Sequence, residues 1–330
     1  MFSQFRFKNY KSIKEEIVLD LRASSVGKYK TTSFGNEKLS NVSLIYGANA
    51  SGKSNIIGAI VAYRYAIMNS AREKVFDGYE QFKFSLSKLA KEEPILMESS
   101  FFVKNKEYVY GFEISKDIVL KEWLYEFRKN GQLEELFFRE DESFSINMNK
   151  WREGNAVINR TKKSALFLTV CSQWNINKAI DICDWFEGMA TLHGVHDDSY
   201  LRITLDMYEE EQYKGIFNDL LRNVDFGVSS GLVVDFSDIE IEGIENKKAV
   251  NKIIEDTGGK SLFLFHANDD GSDTVSYEPF ALNMESSGTK KFINMLGALV
   301  YSILNDIPVV IDELDARLHP LITKTIIELF

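Results

Sequence analysis

The sequence predicts an α/β fold in which segments from both ends of the chain share one layer and a mixed α and β insertion separates them. Three observations predict this class. An apolar run at 42–46 leads into a glycine-containing loop and then a helical pattern from residue 55 to about 71. A β-branched run at 307–311 ends in two acidic residues, and residues 95–140 alternate as β-strands do.

The composition is that of an ordinary globular protein. Hydrophobic residues make up 45% of the 330 positions and charged residues 27%, which argues against a disordered or fibrous chain. The two cysteines, Cys171 and Cys183, do not form a CxxC pair. This excludes a disulfide scaffold and a cysteine zinc site, and it fits a reducing compartment.

The charge balance and the missing apolar stretches limit the partners. The formal net charge of −10 repels nucleic acid on average. Nucleic acid remains a possible partner, but the net charge does not favour it, and binding would need a local basic groove. The sequence has no run of 18 apolar residues, and its start lacks the apolar segment of a signal peptide. We therefore expect a cytoplasmic protein without a membrane partner.

The remaining elements follow in chain order. The first 45 residues alternate as strands do, whereas the regions 164–192 and 205–223 read as helical. Short strands are expected within 224–282, including one at 239–244, with a polar loop at 266–273. The end of the chain predicts a helix at 288–304, the strand 307–311 and a helix from His319 or Pro320. By motif, the chain divides into 1–80, 81–280 and 281–330.

The loop at 47–54 reads Gly-Ala-Asn-Ala-Ser-Gly-Lys-Ser and fits G-x-x-x-x-G-K-[ST] in full. Two glycines let the backbone wrap a phosphate, and the N–H groups of the following helix favour an anion. Lys53 can reach the β- and γ-phosphates of a nucleotide, and the Ser54 hydroxyl can bind Mg²⁺. We expect the nucleotide site to be formed by Gly47, Ala48, Asn49, Ala50, Ser51, Gly52, Lys53, Ser54 and Asn55.

An acidic pair at the other end of the chain supplies the expected metal ligand. Asp312 and Glu313 follow the run 307–311, which predicts a fully buried parallel strand. Asp312 is expected to hold Mg²⁺, and Glu313 to polarise the water that attacks the γ-phosphate. A strand ending in an acidic turn is common, and the phosphate loop is what favours the catalytic interpretation. Lys53 and Asp312 are 259 positions apart, farther than in small kinase, GTPase or ring-forming ATPase cores.

A serine–glycine loop (Ser286, Ser287 and Gly288) opens the predicted helix at 288–304. Small hydroxyl residues and a glycine at a helix N-terminus can form a second anion site. The alternative is that the serines only cap the helix.

The order of these motifs resembles the ABC-type ATPase heads of the SMC, RecF and OLD group. The chain is most similar to small bacterial AAA-family ATPases of the RloA and abortive-infection type, on the segments FKNYKSI, GANASGKSN, YVYGFEI, SALFLTVCSQWN, VDFGV, MESSGTKKF and VVIDELDARLHP. The resemblance implies a P-loop NTPase fold with ATP and Mg²⁺ as cofactors. It also implies a homodimer or higher homo-oligomer, and an anti-phage role in which the ATPase regulates a separately encoded, nuclease-like effector.

The same resemblance implies further residue roles. In that group the serine–glycine loop of one subunit covers the γ-phosphate bound to the other, so Ser286, Ser287 and Gly288 are expected to act in trans. Asp315 is expected in the loop that crosses the dimer interface. Gln81 is the candidate for a Q-loop glutamine, and the alternative is a solvated polar residue.

A histidine switch is expected on a strand after the helix that begins near Pro320. The sequence ends at Phe330, so either the chain is a fragment or it lacks this histidine and the final strands. Autonomous hydrolysis is then in doubt, whereas nucleotide binding is still expected. The other histidines are poor substitutes, since they lie upstream or in another motif: His193, His196, His266 and His319.

Two other functions stay open at this point. The first is a RecF-like DNA-binding repair ATPase, for which the patch of Arg160, Lys162 and Lys163 is the strongest local candidate, against an ordinary solvated loop. The second is a scaffold gated by ATP with little turnover.

Overall fold

The computed structural model describes residues 1–23, 30–35, 37–128, 130–196, 198–224, 227–236, 257–268 and 276–330. These residues form two compact units, Met1–Met189 and Ala190–Phe330. The strand predicted at 239–244 lies outside the described residues. The division into 1–80, 81–280 and 281–330 stays a prediction, because it follows motifs whereas the compact units follow packing.

The first unit is built on a seven-stranded antiparallel sheet in the order β2-β1-β5-β6-β7-β8-β9, with β3 and β4 as a separate hairpin. Its strands are β1 (Phe2–Lys8), β2 (Ile17–Asp20), β3 (Thr31–Phe34), β4 (Glu37–Ser40), β5 (Ile95–Val103), β6 (Lys106–Ser115), β7 (Ile118–Phe127), β8 (Leu133–Glu140) and β9 (Ser143–Ile146). Its α-helices are α1 (Lys53–Asn69), α2 (Lys88–Glu92), α3 (Phe167–Gln173) and α4 (Asn177–Gly188).

Helix α1 is anchored to the sheet through Tyr63. The ring of Tyr63 packs against Phe5 and Phe112, with centroid distances of 5.4 and 5.3 Å, and against Phe186 of α4 at 5.6 Å. Its hydroxyl donates to the Tyr110 carbonyl at 2.8 Å. Buried aromatic contacts of this kind make a rigid support, so the loop that precedes α1 is held by the sheet.

Helix α3 is fixed to the sheet by a buried carboxylate. The side chain of Glu122 accepts hydrogen bonds from the N–H groups of Phe167 and Leu168 at 2.6 and 2.9 Å, and from the Tyr110 hydroxyl at 2.9 Å. The guanidinium of Arg139 lies 3.6 Å away and is also buried. The carboxylate thus satisfies two N–H groups at the start of α3, which have no acceptor within the helix.

The second unit contains two small sheets and four α-helices among its described residues. Strands β10 (Ala190–His193) and β14 (Val309–Asp312) form a parallel pair, and β11 (Val228–Asp235), β12 (Lys260–Asn268) and β13 (Ser276–Ala281) form an antiparallel sheet. The helices are α5 (Leu201–Glu209), α6 (Glu211–Asn223), α7 (Ser287–Leu304) and α8 (Pro320–Leu329). The apolar face of α7 supplies much of the core, including Phe292, Met295, Leu296 and Leu299.

Most predicted elements are confirmed. Helix α1 begins two residues before the predicted start, the β region at 95–140 contains β5 to β8, and the helices predicted at 205–223, 288–304 and from Pro320 are present. Within the predicted loop 266–273, residues 266–268 belong to β12, and the rest lies outside the described residues. No α-helix within the described ranges is both long and apolar enough to cross a membrane.

Two local predictions are wrong. Residues 42–48 form neither strand nor helix, and the Tyr46 side chain is 85% exposed. The apolar run joins neither edge strand of the seven-stranded sheet, and without a paired neighbour it has no ladder of hydrogen bonds. The helix predicted over 164–192 also extends too far towards the C-terminus, since residues 190–193 form strand β10. The partner of β10, strand β14, comes more than a hundred positions later.

Candidate nucleotide-binding site

The phosphate loop, residues 47–54, leads directly into helix α1 in the first unit. Gly52 precedes the helix with φ of 99°, a left-handed conformation that glycine adopts readily. The N-cap makes no side-chain hydrogen bond, and the first turn of α1 contains no acidic residue. The positive end of the helix dipole is therefore not neutralised by its own side chains, which favours an anion there.

Both glycines of the motif lie close to neighbouring side chains. A Cβ at Gly52 would lie 3.0 Å from Ile13 Cδ1 and 3.1 Å from Ser12 Oγ, and one at Gly47 would lie 2.7 Å from Ser51 Oγ. The loop therefore closes on itself at one end and against the turn after β1 at the other.

The ammonium of Lys53 lies over the loop. Its Nζ donates to the carbonyls of Gly47 and Ala48 at 2.7 and 2.9 Å. These bonds bring the charge of Lys53 back from the first residue of the helix to the start of the loop. A lysine ammonium at the phosphate loop is what the motif predicts for binding the β- and γ-phosphates.

The turn after β1 supports this loop, a role that the sequence analysis missed. Asn55 Nδ2 donates to Ser12 Oγ at 2.7 Å, and the Tyr10 hydroxyl donates to the Gly58 carbonyl at 3.4 Å. In the sequence, the segment FKNYKSI indicates only a strand-like alternation and a family resemblance. No rule of spacing could have linked it to a loop more than 30 residues later.

The acidic pair lies at the carboxyl end of β14 in the second unit. His193 of β10 is the register partner of Asp312, and the Gly194 N–H donates to the Asp312 carbonyl at 2.8 Å. Asp312 is half-buried, while the Glu313 side chain is exposed and its φ is 53°. The strand was predicted to be fully buried. This is wrong, because β14 pairs with only one described strand and all four of its residues remain partly exposed.

Gly194 is a second residue that the sequence analysis missed. A Cβ on it would lie 2.1 Å from the Glu313 carbonyl oxygen, far inside any permitted contact. The backbone after β10 therefore approaches the backbone of the acidic pair closely. The available signal is the glycine itself, directly after Ala190–His193, but it does not reveal which segment comes near.

The serine–glycine loop begins helix α7. Ser286 is the N-cap, and its Oγ accepts a hydrogen bond from the Thr289 N–H at 3.1 Å. Ser286 and Ser287 are exposed, and Gly288 is close enough to the Arg317 carbonyl that a Cβ would lie 3.2 Å from it. Capping by Ser286 is thus observed, and an additional action in trans stays a prediction.

The other predicted residues are either exposed or paired with a local partner. Gln81 is exposed in the short 3-10 turn Tyr79–Phe82, and Asp315 is exposed in the turn after Glu313. In the basic patch, the Arg160 guanidinium lies 3.9 Å from the centre of the Trp174 ring, and Lys163 pairs with Glu142 at 3.1 Å. Two of the three cations thus have local partners.

The two predicted metal ligands are oxygen donors, which magnesium prefers. Across the described residues, no three His, Cys, Asp or Glu side chains are grouped to hold a metal. Mg²⁺ usually takes one or two protein oxygen ligands and completes its shell with substrate phosphates and water. The Ser54 hydroxyl in the first unit and the Asp312 carboxylate in the second unit are each a hard oxygen donor of this kind.

Residues 42–330 match the protein family described as "AAA domain, putative AbiEii toxin, Type IV TA system". The chain belongs to this AAA-domain family. The matched span contains the phosphate loop, the serine–glycine loop and the acidic pair, so family membership supports a nucleotide-binding ATPase domain of mixed α/β fold. A search of the curated proteins gives no match to the chain.

Proposed function

We propose that this AAA-family chain binds Mg-ATP and hydrolyses it to ADP and phosphate. The geometry of residues 47–54 is the observation that carries the proposal: a left-handed glycine, an uncapped helix start and the Lys53 ammonium converge on one loop. Gly47 to Asn55 bind the phosphates, and Ser54 and Asp312 are the magnesium ligands.

Glu313 is the proposed general base. It accepts a proton from the water that attacks the γ-phosphorus, and the bond from phosphorus to the bridging oxygen of ADP breaks. Its exposed carboxylate at the end of β14 is compatible with this role.

The finer part of the proposal concerns assembly. Two copies close around Mg-ATP, with Ser286, Ser287 and Gly288 of one copy on the γ-phosphate of the other and Asp315 at the interface. The chain then acts as an ABC-type sensor that regulates a separately encoded effector in bacterial anti-phage defence. The toxin–antitoxin wording of the family description supports a partner protein.

Equilibrium dialysis against ATP and Mg²⁺ tests the nucleotide site. Lys53→Ala removes a charged donor to phosphate worth about 1.5–3 kcal/mol, so we expect affinity to fall roughly 10- to 100-fold. Lys74→Ala is the matched control, because Lys74 belongs to the same unit and its side chain is 82% exposed. A wild-type chain that binds no ATP contradicts the proposal.

Light scattering with Glu313→Gln tests assembly, because this variant should retain ATP while blocking attack by water. A change from monomer to dimer on adding Mg-ATP, abolished by Ser287→Arg, is the expected result. A dimer already present without ATP indicates assembly through other surfaces. A monomer under both conditions contradicts the closed dimer.

Binding of ATP by the wild type without phosphate release favours a gated scaffold over an ATPase.

A further inference from the structure

Lys291 is a buried cation in the first two turns of helix α7. Lysine is almost never fully buried unless its charge is compensated, yet Lys291 is 0% exposed. It directly follows Lys290, which is only partly buried and donates to the Asn283 carbonyl at 3.1 Å. Two adjacent lysines thus have quite different surroundings.

The Lys291 ammonium is directed at the turn that follows the acidic pair. Its Nζ donates to the carbonyls of Glu313, Leu314 and Ala316 at 3.0, 2.8 and 2.6 Å. An ammonium has three N–H donors, and one turn supplies three acceptors for them. Three hydrogen bonds to one short segment fix its path, because moving any one carbonyl weakens its bond to the shared nitrogen.

The same turn is held from a second side. The Arg317 guanidinium donates to the carbonyls of Gly194 and Val195 at 3.3 and 2.8 Å. With the carbonyls of Glu313, Leu314 and Ala316 bound to Lys291, the side chains of Glu313 and Asp315 remain exposed. The turn therefore presents its acids to solvent while its backbone is immobilised.

We propose that Lys291 is a positioning residue that ties the helix of the serine–glycine loop to the backbone of Glu313, so that the two move as one body. This role rests on the proposed function, since it concerns the base of the ATPase reaction. Ser286 and Lys291 belong to the same rigid start of α7, and Gly288 packs against Arg317 of the turn. A displacement of the serine–glycine loop therefore displaces the Glu313 backbone.

Lys291→Met tests this, because methionine fills a similar volume without donating, and Lys290→Met is the matched control. We expect ATP affinity to stay within about twofold of wild type. We expect kcat to fall roughly 10- to 100-fold, because a small displacement of a catalytic group lowers the rate by such a factor. Hydrogen exchange at residues 313–318 should increase in Lys291→Met and remain at the wild-type rate in Lys290→Met.

Chemical rescue separates positioning from packing. In Lys291→Ala, propylammonium should restore part of kcat by occupying the cavity and donating to the three carbonyls, whereas propanol at the same concentration should not. Wild-type kcat and exchange in Lys291→Met overturn the proposal, as does equal rescue by propanol. A wild-type chain without ATP turnover overturns the proposed function itself, and the role of Lys291 with it.

Discussion

Gly194→Ala is the substitution for which the structure predicts the clearest consequence. The φ of Gly194 is not in the left-handed region, so the backbone itself accepts alanine. The new Cβ, however, would lie 2.1 Å from the Glu313 carbonyl oxygen and 2.5 Å from Lys291 Nζ. The end of a lysine can move aside, but the Glu313 carbonyl can move only by distorting the turn that holds it.

The required displacement sets the magnitude. For an ordinary contact of 3.4 Å the carbonyl of Glu313 must move away by about 1.3 Å. That stretches the bond from the Gly194 N–H to the Asp312 carbonyl, now 2.8 Å, and the bond from Lys291 to Glu313. Overpacking of this kind costs about 1–3 kcal/mol. For a chain of 330 residues the melting temperature should then fall by roughly 1–4 °C.

Gly215→Ala is the control in the same unit, because a Cβ at Gly215 of α6 meets nothing within 4 Å. It should be neutral or stabilise the protein by up to about 1 kcal/mol, since alanine favours the helix. Circular dichroism gives the melting temperature, and hydrogen exchange at 313–318 gives the local effect. If Gly194→Ala has the melting temperature of the wild type and its hydrogen-exchange rates at 313–318, the close approach of Gly194 to Glu313 does not constrain the turn.

The remaining predictions concern the first unit. Glu122→Gln should lower the free energy of unfolding by about 3–5 kcal/mol, because it leaves the buried Arg139 guanidinium without a carboxylate. The amide of the glutamine would also place N–H donors against the N–H groups at the start of α3. Urea denaturation followed by tryptophan fluorescence measures this, since all four tryptophans lie within residues 1–189. Burial raises the pKa of the Cys183 thiol to about 12 and raises the pKa of Cys171 as well. Both thiols should therefore resist iodoacetamide at pH 8.5 in the native protein and react fully in denaturant, and fast native alkylation measured by mass spectrometry would contradict this.

The parts of the site that sequence predicts are those whose geometry is local. Residues 47–54 close on themselves through Lys53 and Ser51, and Ser286 caps its own helix, so each motif contains most of its own partners. Strand β10 depends instead on β14, and Gly194 depends on Glu313. A four-residue strand such as Ala190–His193 carries no information in its sequence about such distant neighbours.

Lys291 shows a signal that could have been used. It lies four positions before Met295 and eight before Leu299, so it shares the apolar face of α7 rather than the polar face. A charged residue on an apolar face predicts a buried polar partner. The pattern could not identify that partner, because the three carbonyls come from a turn more than 20 positions later.

The backbone at Glu313 gives the last prediction. A glutamate at φ of 53° is in the left-handed region, which costs a residue with a Cβ about 1–2 kcal/mol. Glu313→Gly should remove this cost. Glu313→Gln retains the Cβ and therefore retains the cost. We expect Glu313→Gly to be more stable than Glu313→Gln by up to about 1 kcal/mol in urea denaturation followed by circular dichroism, after the larger entropy of unfolded glycine is counted. Both variants lack the carboxylate, so neither should hydrolyse ATP. If Glu313→Gly is instead less stable than Glu313→Gln by the whole glycine entropy term, about 0.5–1 kcal/mol, Glu313 is not strained. A gain in the glycine variant would show that the chain retains a strained residue where its proposed chemistry requires an acid.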